Sequence, residues 1–354
     1  MKIVDYIQEN ELFCFNRLKC LRNEYYHNQC SECIDICPQN AFGIVQNKLV
    51  LDTKECTGCS VCIGVCPSEA LISKNFDPNE FIEKMFSKDE NRLSCKSNTA
   101  CLSVFDTHHY ITLVLEKDED IFCDLSECRG CILNRDDKTL NSILKKAEEA
   151  NRFLKMTEDE NSIIIQKQKK EFSRRDIFGK IFKEIKEYEP YKADKEEHKR
   201  EIPKKLTLLK NALKKRALKS DKNVFEYEGE FDFTVSKKID ENCTNCGECV
   251  QFCPTGSLFY SSDTTKIFFQ SGKCINCSIC DDICKEKAIK TDQKNSFDIS
   301  SFAFDRAEIL IQFRLEICKV CKCAFSYKEG ELICPRCEHF ETNYQDIFKL
   351  AGES

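Results

Sequence analysis

The 354-residue sequence has no tryptophan, five histidines, eleven glycines, and no apolar run near the roughly 18 residues that cross a bilayer. Each shortage removes a class of function. No GxGxxG precedes a helix and no glycine-rich phosphate loop is present, so no nicotinamide, flavin or nucleotide site is expected. No Ser/His/Asp arrangement is recognisable, and no membrane span is expected.

Against these shortages stand 27 cysteines. The first stretch, MKIVDYIQEN, is polar and acidic, without the basic start or apolar core of an export signal, and this leads us to expect a cytoplasmic protein. In a reducing compartment clustered cysteines bind metal more often than they pair as disulfides. The net charge of −6 is unevenly spread: residues 161–222 hold 20 Lys and Arg against 10 Asp and Glu, which leaves the cysteine-bearing ends acidic. Without a groove of interleaved basic and aromatic residues, nucleic acid is not an expected partner.

The cysteines repeat. CSECIDICPQNAF (30–42), CTGCSVCIGVCPSEAL (56–71), CTNCGECVQFCPTGSL (243–258) and CINCSICDDICKEKAI (274–289) share one ending, and the last three have the full Cys-x2-Cys-x2-Cys-x3-Cys spacing. A [4Fe–4S] cube needs four thiolates; a tight Cys-x2-Cys-x2-Cys loop wraps three corners, and the fourth cysteine reaches the other cube of a pair. Zinc sites use two separated pairs instead. Each pair of motifs resembles a bacterial two-cluster ferredoxin module, over about residues 14–75 and 237–292.

The resemblance implies the ligand sets by cross-ligation. Cys243, Cys246, Cys249 and Cys284 would hold one cube, and Cys274, Cys277, Cys280 and Cys253 the next. Cys56, Cys59, Cys62 and Cys37 form a third. The remaining set, Cys30, Cys33 and Cys66, lacks one ligand, for which Cys20 and Cys14 are the candidates. Cys20 is favoured, because the loop LRNEYYHNQ that joins it to Cys30 closes at modest entropic cost. Cys14, in the apolar string FCFN, is equally natural as a core residue. Lys285 replaces the proline that follows the last cysteine elsewhere. The segments between paired motifs alternate apolar and polar residues and read as hairpins around Gln46-Asn47 and Ser262-Asp263.

Near the C-terminus Cys318-x2-Cys321 and Cys334-x2-Cys337 resemble a zinc ribbon. The donor set suits tetrahedral zinc, or a single iron as in rubredoxin. In between, residues 90–166 alternate strand and helix patterns, with Cys95, Cys101, Cys123, Cys128 and Cys131 at their ends; Cys128-x2-Cys131 is a candidate to join Cys95 or Cys101 in a further metal or redox site. His108 and His109 read as surface polar residues. DIFGKIFKEI (176–185) and LLKNALKKRALK (208–219) read as amphipathic helices, the second with Leu209, Ala212, Leu213 and Ala217 on one face.

The expected fold class is α+β. Residues 1–80 form a first two-cluster module, 90–166 a small α/β unit, 167–230 a basic helical linker, 237–292 the second module and 310–345 the ribbon. The expected function is electron transfer through about four [4Fe–4S] clusters between redox protein partners, as a subunit of or shuttle to an oxidoreductase. The alternative is a catalytic reductase using an incompletely ligated cluster or the mid-chain cysteines.

Overall fold

The computed structural model describes residues 7–167 and 201–344. The helix expected over 176–185 lies outside them. Among the described residues no helix is long and apolar enough to cross a membrane.

Both cysteine-rich modules follow one plan. A strand ahead of the first motif pairs antiparallel with a strand after the second, and a hairpin joins the two motifs. In the first module β1 (Ile7–Glu9) flanks β2 (Phe13–Asn16), which pairs with β5 (Leu71–Ser73), while β3 (Phe42–Val45) and β4 (Lys48–Leu51) form the hairpin. Gln46 and Asn47 turn it with φ of 49° and 59°, the paired positive values that match strand twist in a two-residue loop. In the second module β10 (Ser236–Ile239) pairs with β13 (Ile289–Asp292), and the hairpin is β11 (Leu258–Tyr260) with β12 (Lys266–Phe269), extended by β15 (Glu308–Gln312). Both expected hairpins are present.

The largest apolar core lies between the modules. β6 (Arg92–Ser94), β7 (Ile121–Asp124) and β8 (Ile163–Gln166) form a parallel sheet. Parallel neighbours require long crossovers, supplied here by the helices Thr107–Lys117 and Lys138–Met156. The first is started by Asp106, whose carboxylate accepts from the Thr107 amide at 2.8 Å while the Asp106 amide donates to His109 Nδ1 at 2.9 Å.

Two sequence expectations change here. The helix Lys204–Lys219, expected as part of a basic helical linker, belongs to the central core: Leu206, Leu209 and Leu213 are fully buried there, alongside Phe225, Phe231, Phe233, Phe297 and Phe302. The expected face of Leu209, Ala212, Leu213 and Ala217 is indeed the buried one, and it packs on the helix Thr107–Lys117. His108 and His109 are buried too, because the helix that carries them is covered on both sides.

Candidate metal centres

Each full motif folds as a loop that turns its own amides onto its sulfurs. The residues before and after the second cysteine are left-handed in all three: Gly58 and Ser60, Asn245 and Gly247, Asn276 and Ser278. Glycine and asparagine reach that region at low cost. The amide two residues past a cysteine then donates to its sulfur, Gly58 to Cys56, Val61 to Cys59, Asn245 to Cys243 and Asn276 to Cys274. All four motifs also end alike. The third residue past the last cysteine, Asn40, Glu69, Gly256 or Lys287, has positive φ of 53°, 52°, 66° or 51°. The next amide donates to that cysteine's sulfur in three of them: Ala41 to Cys37 at 3.4 Å, Ala70 to Cys66 at 3.3 Å and Ala288 to Cys284 at 3.3 Å. Lys285 leaves this turn intact.

The thiols gather in fours. Burial pushes Cys30 up to about 11, and the neighbouring Cys66 and Cys20 add to the rise. Cys33 is raised by burial and then by Cys66, Cys30 and Cys20. The loop from Cys20 to Cys30 is closed by Arg22, whose guanidinium donates to the Cys30 carbonyl at 3.0 Å and to Asn47 at 2.9 Å. Cys14 lies on β2 opposite Glu9 and Ile72, a core position in which burial and Glu9 raise its thiol. Cys56, Cys59 and Cys62 each feel Cys37, and Cys62 also feels Cys33 of the adjacent set.

In the second module burial and then Cys243, Cys246 and Cys284 push Cys249 up to about 12, and these four line a cavity of about 100 Å³. Cys277 is pushed up to about 12 by burial and then by Cys274, with Cys253 adding further. Sets of four mostly half-buried thiols that oppose one another's charge, several of them already bonded by amides, suit a cationic iron–sulfur core that deprotonates its ligands outright. The residues present fit the cluster.

Several residues here were not singled out from sequence. Asn28 is 3% exposed and ties the modules together, its amide nitrogen donating to the Cys277 carbonyl at 3.3 Å and its oxygen accepting from the Cys30 amide at 3.0 Å. Tyr25 meets Phe252 edge-on beside it, ring centres 5.8 Å apart. Lys205 is buried, its ammonium 2.8 Å from the Cys66 carbonyl and 2.5 Å from Asp106. Lys237 is buried beside Cys280 and Cys274; burial pulls its pKa down, but Cys280, Asp281 and Cys274 outweigh this and keep it charged. Lys285, by contrast, has a side chain 82% exposed. Glu69 caps the helix Lys204–Lys219, accepting from the Lys204 and Lys205 amides at 2.6 and 3.2 Å.

The C-terminal knuckles also converge. Cys318 and Cys321 lie in the turn between β16 (Arg314–Ile317) and β17 (Ala324–Tyr327), Cys334 and Cys337 follow β17, and the four sulfurs all lie within 4.8 Å of one another. Burial opposes ionisation of Cys318, but amides of Cys334, Cys321 and Val320 prevail and hold it down to about 6. This group can bind a metal ion.

The folds and donor sets define two iron–sulfur electron-transfer modules. Two family models agree, each described as a 4Fe-4S dicluster domain, matching residues 28–70 and 236–292. Among curated proteins the chain is similar to the archaeal-type glutamate synthase [NADPH] of Thermotoga maritima, 36% identical over 77 residues, covering 22% of this chain and 15% of that protein. It is also similar to one subunit of the H(2):CoB-CoM heterodisulfide,ferredoxin reductase of Methanothermobacter marburgensis, 33% identical over 93 residues, 21% of this chain and 14% of the relative. Indolepyruvate oxidoreductase subunit IorA of Archaeoglobus fulgidus is 34% identical over 61 residues, 17% and 10% of the two chains. The match thus spans about a seventh or less of each relative's length.

Proposed function

We propose that this protein is a cytoplasmic electron conduit holding four [4Fe–4S] clusters and working between redox protein partners, as a subunit of or shuttle to an oxidoreductase. The ligand sets are Cys20, Cys30, Cys33 and Cys66; Cys37, Cys56, Cys59 and Cys62; Cys253, Cys274, Cys277 and Cys280; and Cys243, Cys246, Cys249 and Cys284. Bound there, the clusters supply reversible one-electron chemistry. The amides named above stabilise the thiolates, and buried Lys205 and Lys237 favour added negative charge.

The single observation that carries the proposal is the joint at Asn28, which sets the Cys30 and Cys277 ligand loops one side chain apart. Separate modules would need no such bridge. The grouping of Cys20 with Cys30, Cys33 and Cys66 supports a full donor set over an open iron. The similar proteins named as oxidoreductases or their subunits support an oxidoreductase partner. Zinc is the better fit for the Cys318 set, where it would fasten the C-terminal hairpin.

The test is an anaerobic titration with a one-electron reductant. We expect uptake of at least about four electrons per chain, one for each cube, returned to a one-electron acceptor protein such as a cytochrome. Uptake of about two or fewer, or reduction that no acceptor reverses, would contradict the reading.

One observation favours a second reading, a reductase. A cavity of about 590 Å³ opens against Cys30 and Cys277, lined also by Lys145, Lys146, Lys205 and His108. Burial holds Lys146 down to about 8. Steady turnover of a small anionic oxidant, abolished by Lys146→Met with cluster content intact, would favour it.

A further inference from the structure

Cys95, Cys101, Cys128 and Cys131 lie outside both ferredoxin modules. They sit past the carboxyl ends of two adjacent strands of the parallel sheet, β6 and β7, where Ser94 is in register with Asp124. Cys95 follows Ser94 directly, and Cys128 and Cys131 lie in the loop that leaves Asp124. The two loops are fastened to each other: the Ser94 hydroxyl is 3.3 Å from the Asp124 carboxylate, and Lys96 pairs with Glu127 at 2.6 Å. The Asn134 side-chain nitrogen donates to the Cys128 carbonyl at 3.0 Å, which closes the second loop on itself.

The four thiols feel one another's charge. Burial pushes Cys128 up to about 12, and Cys101, Cys95 and Cys131 add to it in that order. Cys95 is raised by burial and then by Cys101 and Cys131. The Ser103 amide donates to Cys101, two residues behind it, the same device that serves Cys56, Cys59, Cys243 and Cys274. Among the described residues, no set of three cysteines outside the C-terminal knuckle draws its sulfurs within 4.8 Å of one another. Like the cube sets, the mid-chain cysteines are thus not drawn in to single-ion spacing as the knuckle is, and a multi-iron core suits them better than one ion.

The location is equally specific. The Ser103 hydroxyl stands 3.4 Å from the Cys101 sulfur and 3.1 Å from the Val61 carbonyl, inside the motif that supplies Cys59, Cys62 and Cys66. Gly64 is required by the same contact, since a Cβ there would strike the Ser103 and Phe105 carbonyls. Cys95 and Cys131 are exposed, so the set reaches from the first module to the protein surface.

We propose that Cys95, Cys101, Cys128 and Cys131 hold a fifth iron–sulfur cluster, fixed at the ends of β6 and β7 and standing between the first ferredoxin module and the exterior. The site does not depend on the conduit reading, because metal content alone tests it.

The experiment compares iron, acid-labile sulfide and zinc per chain in the anaerobically purified full chain and in its Cys95→Ser/Cys128→Ser variant. We expect the variant to lose about two or four irons with matching sulfide, according to cluster type, while the low-temperature EPR signals of the reduced cubes persist. Cys123→Ser, which alters a buried thiol of β7, is the control and keeps all its iron. If the double variant loses its cubes as well, single Cys95→Ser and Cys131→Ser variants at the exposed edge replace it. Equal iron in the variants and parent, or loss of one zinc in place of iron, would overturn the proposal.

Discussion

Asn28 and Cys277 belong to different ferredoxin modules, yet the side chain of one donates to the backbone of the other at 3.3 Å, and the same side chain accepts from the Cys30 amide at 3.0 Å. One amide group thus reads the position of a ligand loop in each module. Replacing it with leucine leaves both backbone groups without that partner, at a cost of about 1–3 kcal/mol in a buried setting. For Asn28→Leu we expect unchanged iron content but looser modules. Hydrogen exchange measures this, as faster exchange at residues 25–31 and 274–278 than in the parent.

The gap in the first motif makes a sharp contrast between two cysteines. Cys20→Ala removes a thiol that neighbours Cys30 and Cys33, and about four irons, or a conversion to a three-iron signal, should be lost with it. Cys14→Ala removes a core thiol of β2 and should keep every cluster, with a stability loss on the order of 1 kcal/mol. Iron analysis with EPR separates the two.

Lys237 places a buried ammonium beside Cys280 and Cys274. A positive charge favours the reduced, more negative cluster, so Lys237→Met should lower that cube's potential. A decrease on the order of 60 mV corresponds to a tenfold change in a one-electron equilibrium. Lys285→Met, at a side chain 82% exposed next to Cys284, should shift the potential of the Cys284 cube much less. EPR-monitored redox titration reads both.

His109 is buried with Nδ1 accepting from the Asp106 amide, so Nε2–H donates to Asn79 at 3.1 Å. Burial pulls its pKa down to about 3, although Asp106 opposes the fall. The folded form therefore stays neutral while the unfolded chain takes up a proton below pH about 6.5. Stability falls as pH drops through that window toward 3, by about 1.4 kcal/mol per pH unit once well below 6.5. His109→Gln should flatten this slope between pH 6.5 and 5, measured by urea unfolding under anaerobic conditions.

The knuckle cysteines stand apart from the cube ligands, so an ion held there is expected to be lost independently of the cubes. Cys334→Ser should release about one zinc per chain and leave the iron count unchanged. Loss of an iron, with a rubredoxin-like absorbance in the parent, would assign the ion differently.

The motifs were legible because iron chemistry demands a fixed order of thiols, and the hairpins because Gln46-Asn47 is a turn signal. The buried histidines were not legible. An Asp106 cap that engages His109 depends on a helix covered on both sides, and that cover comes from residues 107–117 meeting 204–219 far along the chain. Basic composition likewise hid the core role of Leu206, Leu209 and Leu213, since lysines surround an apolar stripe. The left-handed positions at Asn40, Glu69, Gly256 and Lys287 share no residue type, so their common turn shows only in the backbone.

The central claim is that four complete cubes stand in one connected protein. It is tested most directly by iron analysis and low-temperature EPR of the fully reduced Cys95→Ser/Cys128→Ser chain, which isolates the ferredoxin modules from the mid-chain set. About sixteen irons with four interacting spins is the expected result, and about twelve irons or three spins would contradict it.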